Sequence, residues 1–138
     1  MSGTPEKQRL LVVDDEHVIA DTLATIFSNE GYDAKAAYSS EQAIALTLKW
    51  IPQLAIIDVL LPKMNGIELA ILFKAEYPDC KIALFSGLAA TSDLLDLAQR
   101  GEHAFDVLAK PIHPTEFLRL ASRLLSSAED NGGTFVKV

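Results

Sequence analysis

Several things are scarce in this chain of 138 residues, and each scarcity excludes something. There is one cysteine, Cys80, so no internal disulfide can form, and a reducing, cytoplasmic setting is expected. No apolar run approaches the length that spans a bilayer, and Met1–Gln8 has no apolar stretch, so neither a signal peptide nor a membrane anchor is expected there. A membrane partner is therefore not expected. Basic residues are outnumbered 12 to 19, the formal charge is −7, and the lysines and arginines are scattered. Direct nucleic-acid binding is not expected, because a phosphate backbone calls for a basic patch. A glycine-rich phosphate loop of the Walker type is missing, which argues against an ATPase.

What the chain does have is alternation. Leu10–Val13, 32–37, 54–57, 81–85 and 104–108 read as short strands, and 54–57 (Leu-Ala-Ile-Ile) is apolar enough to lie at the centre of a sheet. Between them run helical patterns. Residues 16–30 carry Val18, Ile19, Leu23, Ile26 and Phe27 as one stripe, and Gly31 is the expected left-handed stop. Ser39 with Gln42 reads as a capping box for a helix reaching about Trp50. Further helices are expected over 67–77, from Thr91 or Ser92 to about Arg100, and from Pro114 with Phe117, Leu120, Ala121 and Leu124 inward. Residues 1–8 read as a disordered lead, 9–126 as one domain and 127–138 as a flexible tail. Repeated βα units at this spacing imply a parallel sheet with helices on both faces, and such folds carry their chemistry at the carboxyl ends of the strands.

Polar residues do gather at those ends. The first strand runs into Asp14-Asp15-Glu16, the third into Asp58, the fourth into Ser86-Gly87 and the fifth into Lys110-Pro111. Carboxylates brought together repel, and a divalent cation would compensate them. Oxygen-only ligands favour Mg²⁺ or a similar hard ion, while the lack of histidine and cysteine at these ends disfavours zinc. Carboxylate, hard cation, ammonium and hydroxyl suit a phosphoryl group, and an aspartate in such a set can be the nucleophile. Taken singly, each feature has a plainer explanation. Asp14-Asp15 could cap a helix, Asp58 could shape a turn before Pro62, and Lys110 could be a solvated lysine. Cys80, His17, His113, Trp50 and Met64 read respectively as a strand-start residue, a surface residue, a cap before Pro114, helix-end packing and loop packing.

Taken together and in order, Val12-Val13-Asp14-Asp15-Glu16, then 57–66 (Ile-Asp-Val-Leu-Leu-Pro-Lys-Met-Asn-Gly), then Phe85-Ser86-Gly87, then Ala109-Lys110-Pro111, resemble the receiver domain of two-component response regulators. The resemblance covers about residues 9–126. It implies a flavodoxin-like, doubly wound (βα)5 fold with sheet order 2-1-3-4-5. It implies Asp58 as phosphoacceptor and Mg²⁺ held by Asp15, Asp58 and the backbone carbonyl of Leu60, with Asp14 acting through water. Lys110 and Ser86 would stabilise the phosphoryl group, and Pro62, Gly66 and Pro111 would shape the adjoining loops. The donor would be a phosphohistidine on a sensor histidine kinase or a histidine phosphotransfer protein. The downstream effector would be a protein acting in trans or an output domain missing from this sequence, and the 88–125 face could also support a homodimer. Ser86 would begin the switch, but Val107 stands where the family carries an aromatic ring, so either the switch is altered or Phe105 and the 88–104 segment carry it.

Such a domain catalyses only its own phosphorylation and dephosphorylation and is not an enzyme in the ordinary sense. A phosphatase of the haloacid dehalogenase type would need a second aspartate two residues after the nucleophile, and Leu60 occupies that position. A receiver-like scaffold that binds partners without phosphorylation is the alternative reading.

Overall fold

In a computed structural model of the chain, the structure describes residues 6–86, 106–109 and 113–126. Five parallel strands, β1 (Arg9–Val13), β2 (Asp33–Ala37), β3 (Leu54–Asp58), β4 (Lys81–Ser86) and β5 (Asp106–Ala109), form one sheet in the order β2-β1-β3-β4-β5. This is the flavodoxin-like arrangement expected. The four helices among the described residues are α1 (His17–Asn29), α2 (Ser40–Thr47), α3 (Gly66–Glu76) and α4 (Pro114–Ser126). The helix expected over 91–100 and the expected start of the fifth strand at 104 and 105 lie outside the described residues. None of the described helices is long and apolar enough to cross a membrane.

The central strands are apolar without alternation because both of their faces are covered. Leu11, Val13, Ala55, Ile57, Ile82 and Leu84 join one core with Ile67, Ala70 and Phe73 of α3 and Ala43 of α2. Their neighbours Leu10, Val12, Leu54, Ile56, Ala83 and Phe85 turn the other way, onto Ala20, Leu23 and Phe27 of α1 and Phe117, Leu120, Ala121 and Leu124 of α4. Phe85 and Phe117 meet edge to face, with centroids 5.5 Å apart. Burying side chains of this size contributes about 1.5–3 kcal/mol each.

Local sequence sets the ends of the helices. Gly31, at φ 101°, closes α1, with Gly31 N–H donating to Ser28 O and Tyr32 N–H to Phe27 O. Pro114 opens α4, where Nδ1 of His113 accepts the Thr115 N–H at 3.1 Å.

Three expectations need correcting. Val18 is 78% exposed, because Ala20, Leu23 and Phe27 define the buried side of α1 and Val18 lies about 200° round the helix from Ala20. Helix α2 ends at Thr47 rather than near Trp50, and the chain then leaves through a turn in which Trp50 N–H reaches Leu46 O. The Ser39–Gln42 box is only half formed. Ser39 Oγ accepts the Gln42 N–H, but Gln42 Oε1 reaches past the cap to the N–H of Tyr38.

Candidate functional site

Parallel register brings the strand tips level. Val13 pairs with Ala37 on one side and Ile57 on the other, Asp58 pairs with Phe85, and Ser86 with Ala109. The residue after Val13 is Asp14, so the β1 and β3 tips deliver their carboxylates side by side. Carboxylate oxygens of Asp14, Asp15 and Asp58 all lie within 4.8 Å of one another. Asp14 is fully buried and Asp58 is 4% exposed, whereas Asp15 faces solvent. Two inner carboxylates and one outer one form a cup with an open side.

Each inner carboxylate is held by the chain that follows it. Asp14 Oδ1 accepts the N–H of Glu16 at 2.9 Å, and Asp58 Oδ1 accepts the N–H of Leu60 at 3.1 Å. The Asp14 backbone N–H donates to Ala37 O at 3.1 Å, tying the β1 tip to the end of β2. Beside the cup, the ring of His17 stacks on Tyr38 at 3.8 Å, and the Tyr38 hydroxyl donates to Asp21 at 2.5 Å. That hydrogen bond, followed by burial and the charge of Asp21, pushes the phenol above its ordinary 10.0.

The loop from β3 to α3 is drawn tightly round the end of the strand. Gly66 N–H returns to Val59 O at 2.9 Å, and a Cβ on Gly66 would collide with the Asp58 carbonyl oxygen and stand 2.7 Å from its carbon. Glycine is required here by close approach to backbone, not by φ. Lys63 takes a left-handed φ of 64°, and its ammonium stands 3.9 Å from Glu41 on the exposed surface. Pro62 is exposed at the outside of the turn. Asn65 caps α3 in a complete capping box with Glu68.

The structure thus brings Asp14, Asp15 and Asp58 together, with Leu60 contributing an N–H to Asp58. It places the backbone of Ser86 at the tip of β4, opposite Ala109, the residue before Lys110. Val107 pairs through its backbone with Leu84. The side chains of Ser86 and Val107, and residues Phe105, Lys110 and Pro111, lie outside what is described.

Two features of the site had gone unread in the sequence. Asn65 and Glu68 carry a capping signal that is masked by the turn-like Asn-Gly pair. Ser40 is a fully buried polar residue on the α2 stripe shared with Ala43 and Thr47, and a hydroxyl on such a stripe requires a partner.

Among the described residues, the donor set fits a hard divalent cation such as Mg²⁺: three carboxylates, no nitrogen or sulfur, and an exposed outer member. The chain is similar to known proteins over most of its length. The family model of the response regulator receiver domain matches residues 10–122. The alginate biosynthesis transcriptional regulatory protein AlgB of Pseudomonas aeruginosa is 34% identical over 123 residues, covering 88% of this chain and 27% of that protein. The DNA-binding response regulator MtrA of Mycolicibacterium smegmatis is 28% identical over 132 residues, 96% of this chain and 57% of that one. This chain therefore spans well under two thirds of these relatives. Among solved structures, a CheY-like receiver domain protein from Methanospirillum hungatei superposes with a TM-score of 0.79 at 27% identity, covering 92% of this chain and all of that one. The receiver domain of NtrX from Brucella abortus gives 0.76 at 29% identity, covering 86% and 98%. The chain belongs to the response regulator receiver domain family.

Proposed function

We propose that this chain is the phosphoacceptor module of a two-component phosphorelay, with Asp58 as the acceptor. The observation that carries the reading is the carboxylate cup, in which Asp58 is buried at the end of a central strand and its Oδ1 is held by Leu60 N–H. A nucleophile fixed in this way attacks phosphorus without first having to be ordered.

In this reading a carboxylate oxygen of Asp58 bonds to the phosphorus of a phosphohistidine on a sensor kinase or phosphotransfer protein. The P–N bond breaks, its electron pair stays on the imidazole nitrogen, and the imidazole leaves neutral after taking a proton from water. Asp14, Asp15 and Asp58 would hold Mg²⁺, which when bound offsets negative charge on the phosphoryl oxygens. Lys110 pairs with one of those oxygens and Ser86 with another, and the pairing of Ser86 with Ala109 in the sheet supports their convergence. Leu60, two residues after the acceptor, supplies no acid, so an outside substrate is not turned over.

The added charge and acceptor oxygens draw on Ser86 and alter the face that follows β4. A kinase or phosphotransfer protein is the upstream partner. An effector, in trans or as an attached output domain, is the downstream one. Val107 lacks the ring that carries the switch elsewhere in the family, so residues 88–105 take that part. In this scheme the module works in the cytoplasm.

The test is intact mass after incubation with Mg²⁺ and acetyl phosphate. The native chain gains one phosphoryl group and Asp58→Asn gains none. A folded Asp58→Asn chain with the same gain would overturn the assignment, and so would a native chain that takes no phosphoryl group from either acetyl phosphate or a phosphohistidine donor.

A further inference from the structure

The edge strand β2 contributes no carboxylate to the cup, yet its end and the start of α2 touch the two segments that do. On one side Ala37 O accepts the backbone N–H of Asp14. On the other, Ser40 Oγ donates to Met64 O at 2.8 Å, across 24 residues of sequence. The turn between these two contacts is itself tied down. Ser39 Oγ accepts Gln42 N–H, Gln42 Oε1 accepts Tyr38 N–H, and the Tyr38 ring is stacked on His17 at the start of α1. This turn is a fixed reference from which the β3–α3 loop is held.

Backbone bonds fix the two ends of that loop, Val59 N–H to Phe85 O at 2.8 Å and Gly66 N–H to Val59 O at 2.9 Å, and side chains hold what lies between. Between Asp58 and Asn65 it has no regular structure, and Lys63 within it is left-handed. Among the described residues, two side chains of α2 make polar contacts with it. The Lys63–Glu41 pair is solvent-exposed and long, a kind of contact that contributes little. Ser40 is fully buried, and its bond is short. The same loop presents the Leu60 N–H that fixes Asp58 Oδ1.

From these contacts we infer that Ser40 is a positioning residue of the acidic site: its hydroxyl holds the β3–α3 loop through Met64 and thereby sets the place of the Asp58 carboxylate as a metal ligand. The inference rests on the reading that Asp14, Asp15 and Asp58 take Mg²⁺. Ligating carboxylates depend on the groups that orient them, and losing such a group weakens metal affinity by about 10–100-fold.

The experiment is calorimetric titration of Mg²⁺ into the full chain, with a thermal melt of each variant in the absence of metal. Ser40→Ala weakens Mg²⁺ affinity about tenfold, the lower end of that range because Ser40 acts through the loop and not on a ligand directly. Ser40→Thr, which keeps the hydroxyl, restores it. Thr47→Ala is the control. Thr47 is equally buried on the same stripe, but its hydroxyl donates to Ile44 O within α2 and accepts from Tyr77. Its loss lowers the melting point and leaves Mg²⁺ affinity unchanged. If Ser40→Ala does not fold, Ser40→Cys, similar in volume but a weak donor, takes its place. A Ser40 variant that melts lower yet binds Mg²⁺ like the native chain overturns the inference alone. A native chain that binds no Mg²⁺ overturns the reading beneath it as well.

Discussion

Gly66 and Asp58 are in backbone contact: the first residue of α3 lies against the carbonyl of the residue that ends β3, with no room for a methyl group between them. Helix propensity alone would favour alanine at position 66. The contact reverses that sign. Gly66→Ala is expected to destabilise the fold by about 1–3 kcal/mol, the usual cost of overpacking, because the atoms in the way belong to backbone. Urea denaturation checks it. A more stable Gly66→Ala chain would mean that the loop can open without cost.

Asn65 and Glu68 cap α3 reciprocally, with bonds of 2.9 and 3.0 Å. Asn65→Ala is expected to cost about 1 kcal/mol of stability, read from the same denaturation curves, and Asn65→Asp to retain most of it.

Mg²⁺ should stabilise the native chain against heat, since a ligand that binds only the folded state at a hundred times its dissociation constant adds about 2.7 kcal/mol. Asp15 is the outer, exposed member of the cup and adds to its negative charge, so Asp15→Asn does not lower the metal-free melting point. The rise produced by Mg²⁺ is expected to shrink in that variant, as measured by melts at stepped Mg²⁺ concentrations.

Cys80 is 2% exposed, and burial pushes its thiol from the ordinary 9.0 up to about 12, with the charge of Lys74 opposing. The folded chain therefore holds this proton more tightly than the unfolded chain does. The stability this confers is fully present below about pH 9 and is lost as pH rises toward 12. At pH 8 the thiol of the native chain should resist a disulfide reagent and react on adding denaturant. Rapid labelling without denaturant would contradict the burial.

Much of this was legible in the residues. The stripe of Phe117, Leu120, Ala121 and Leu124 identifies the buried side of α4 because large apolar groups repeat there at helical spacing, and all four are buried. In α1 the same reasoning misplaced Val18, since one of the three residues that mark the inward side is small, Ala20, and hydropathy weighs it lightly. The unbroken run at 54–57 placed β3 at the centre, and it followed that Asp58 would sit at the strand's tip. Proximity was beyond reach. That the β1 and β3 carboxylates lie within 4.8 Å depends on strand order, which no local pattern encodes and which the family resemblance supplied. Ser40 escaped because Ser39 beside it already explained the start of α2. The reach to Met64 is tertiary and leaves no local trace beyond a hydroxyl on a buried stripe.

The strand pairings also say when in folding such a cup can exist. Every pairing is parallel, so no two strands can zip up as a hairpin. Arg9 at the base of β1 meets Gln53, which leads into β3, across 44 residues. A chain cut after α2 would own Asp14 and Asp15 but have nothing to set beside them. The pocket is absent from every short fragment and forms only after a distant loop closes, the kind of contact that makes folding slow. Metal binding can then serve as a clock for assembly of the sheet's centre, marking the moment when β1 and β3 lie side by side.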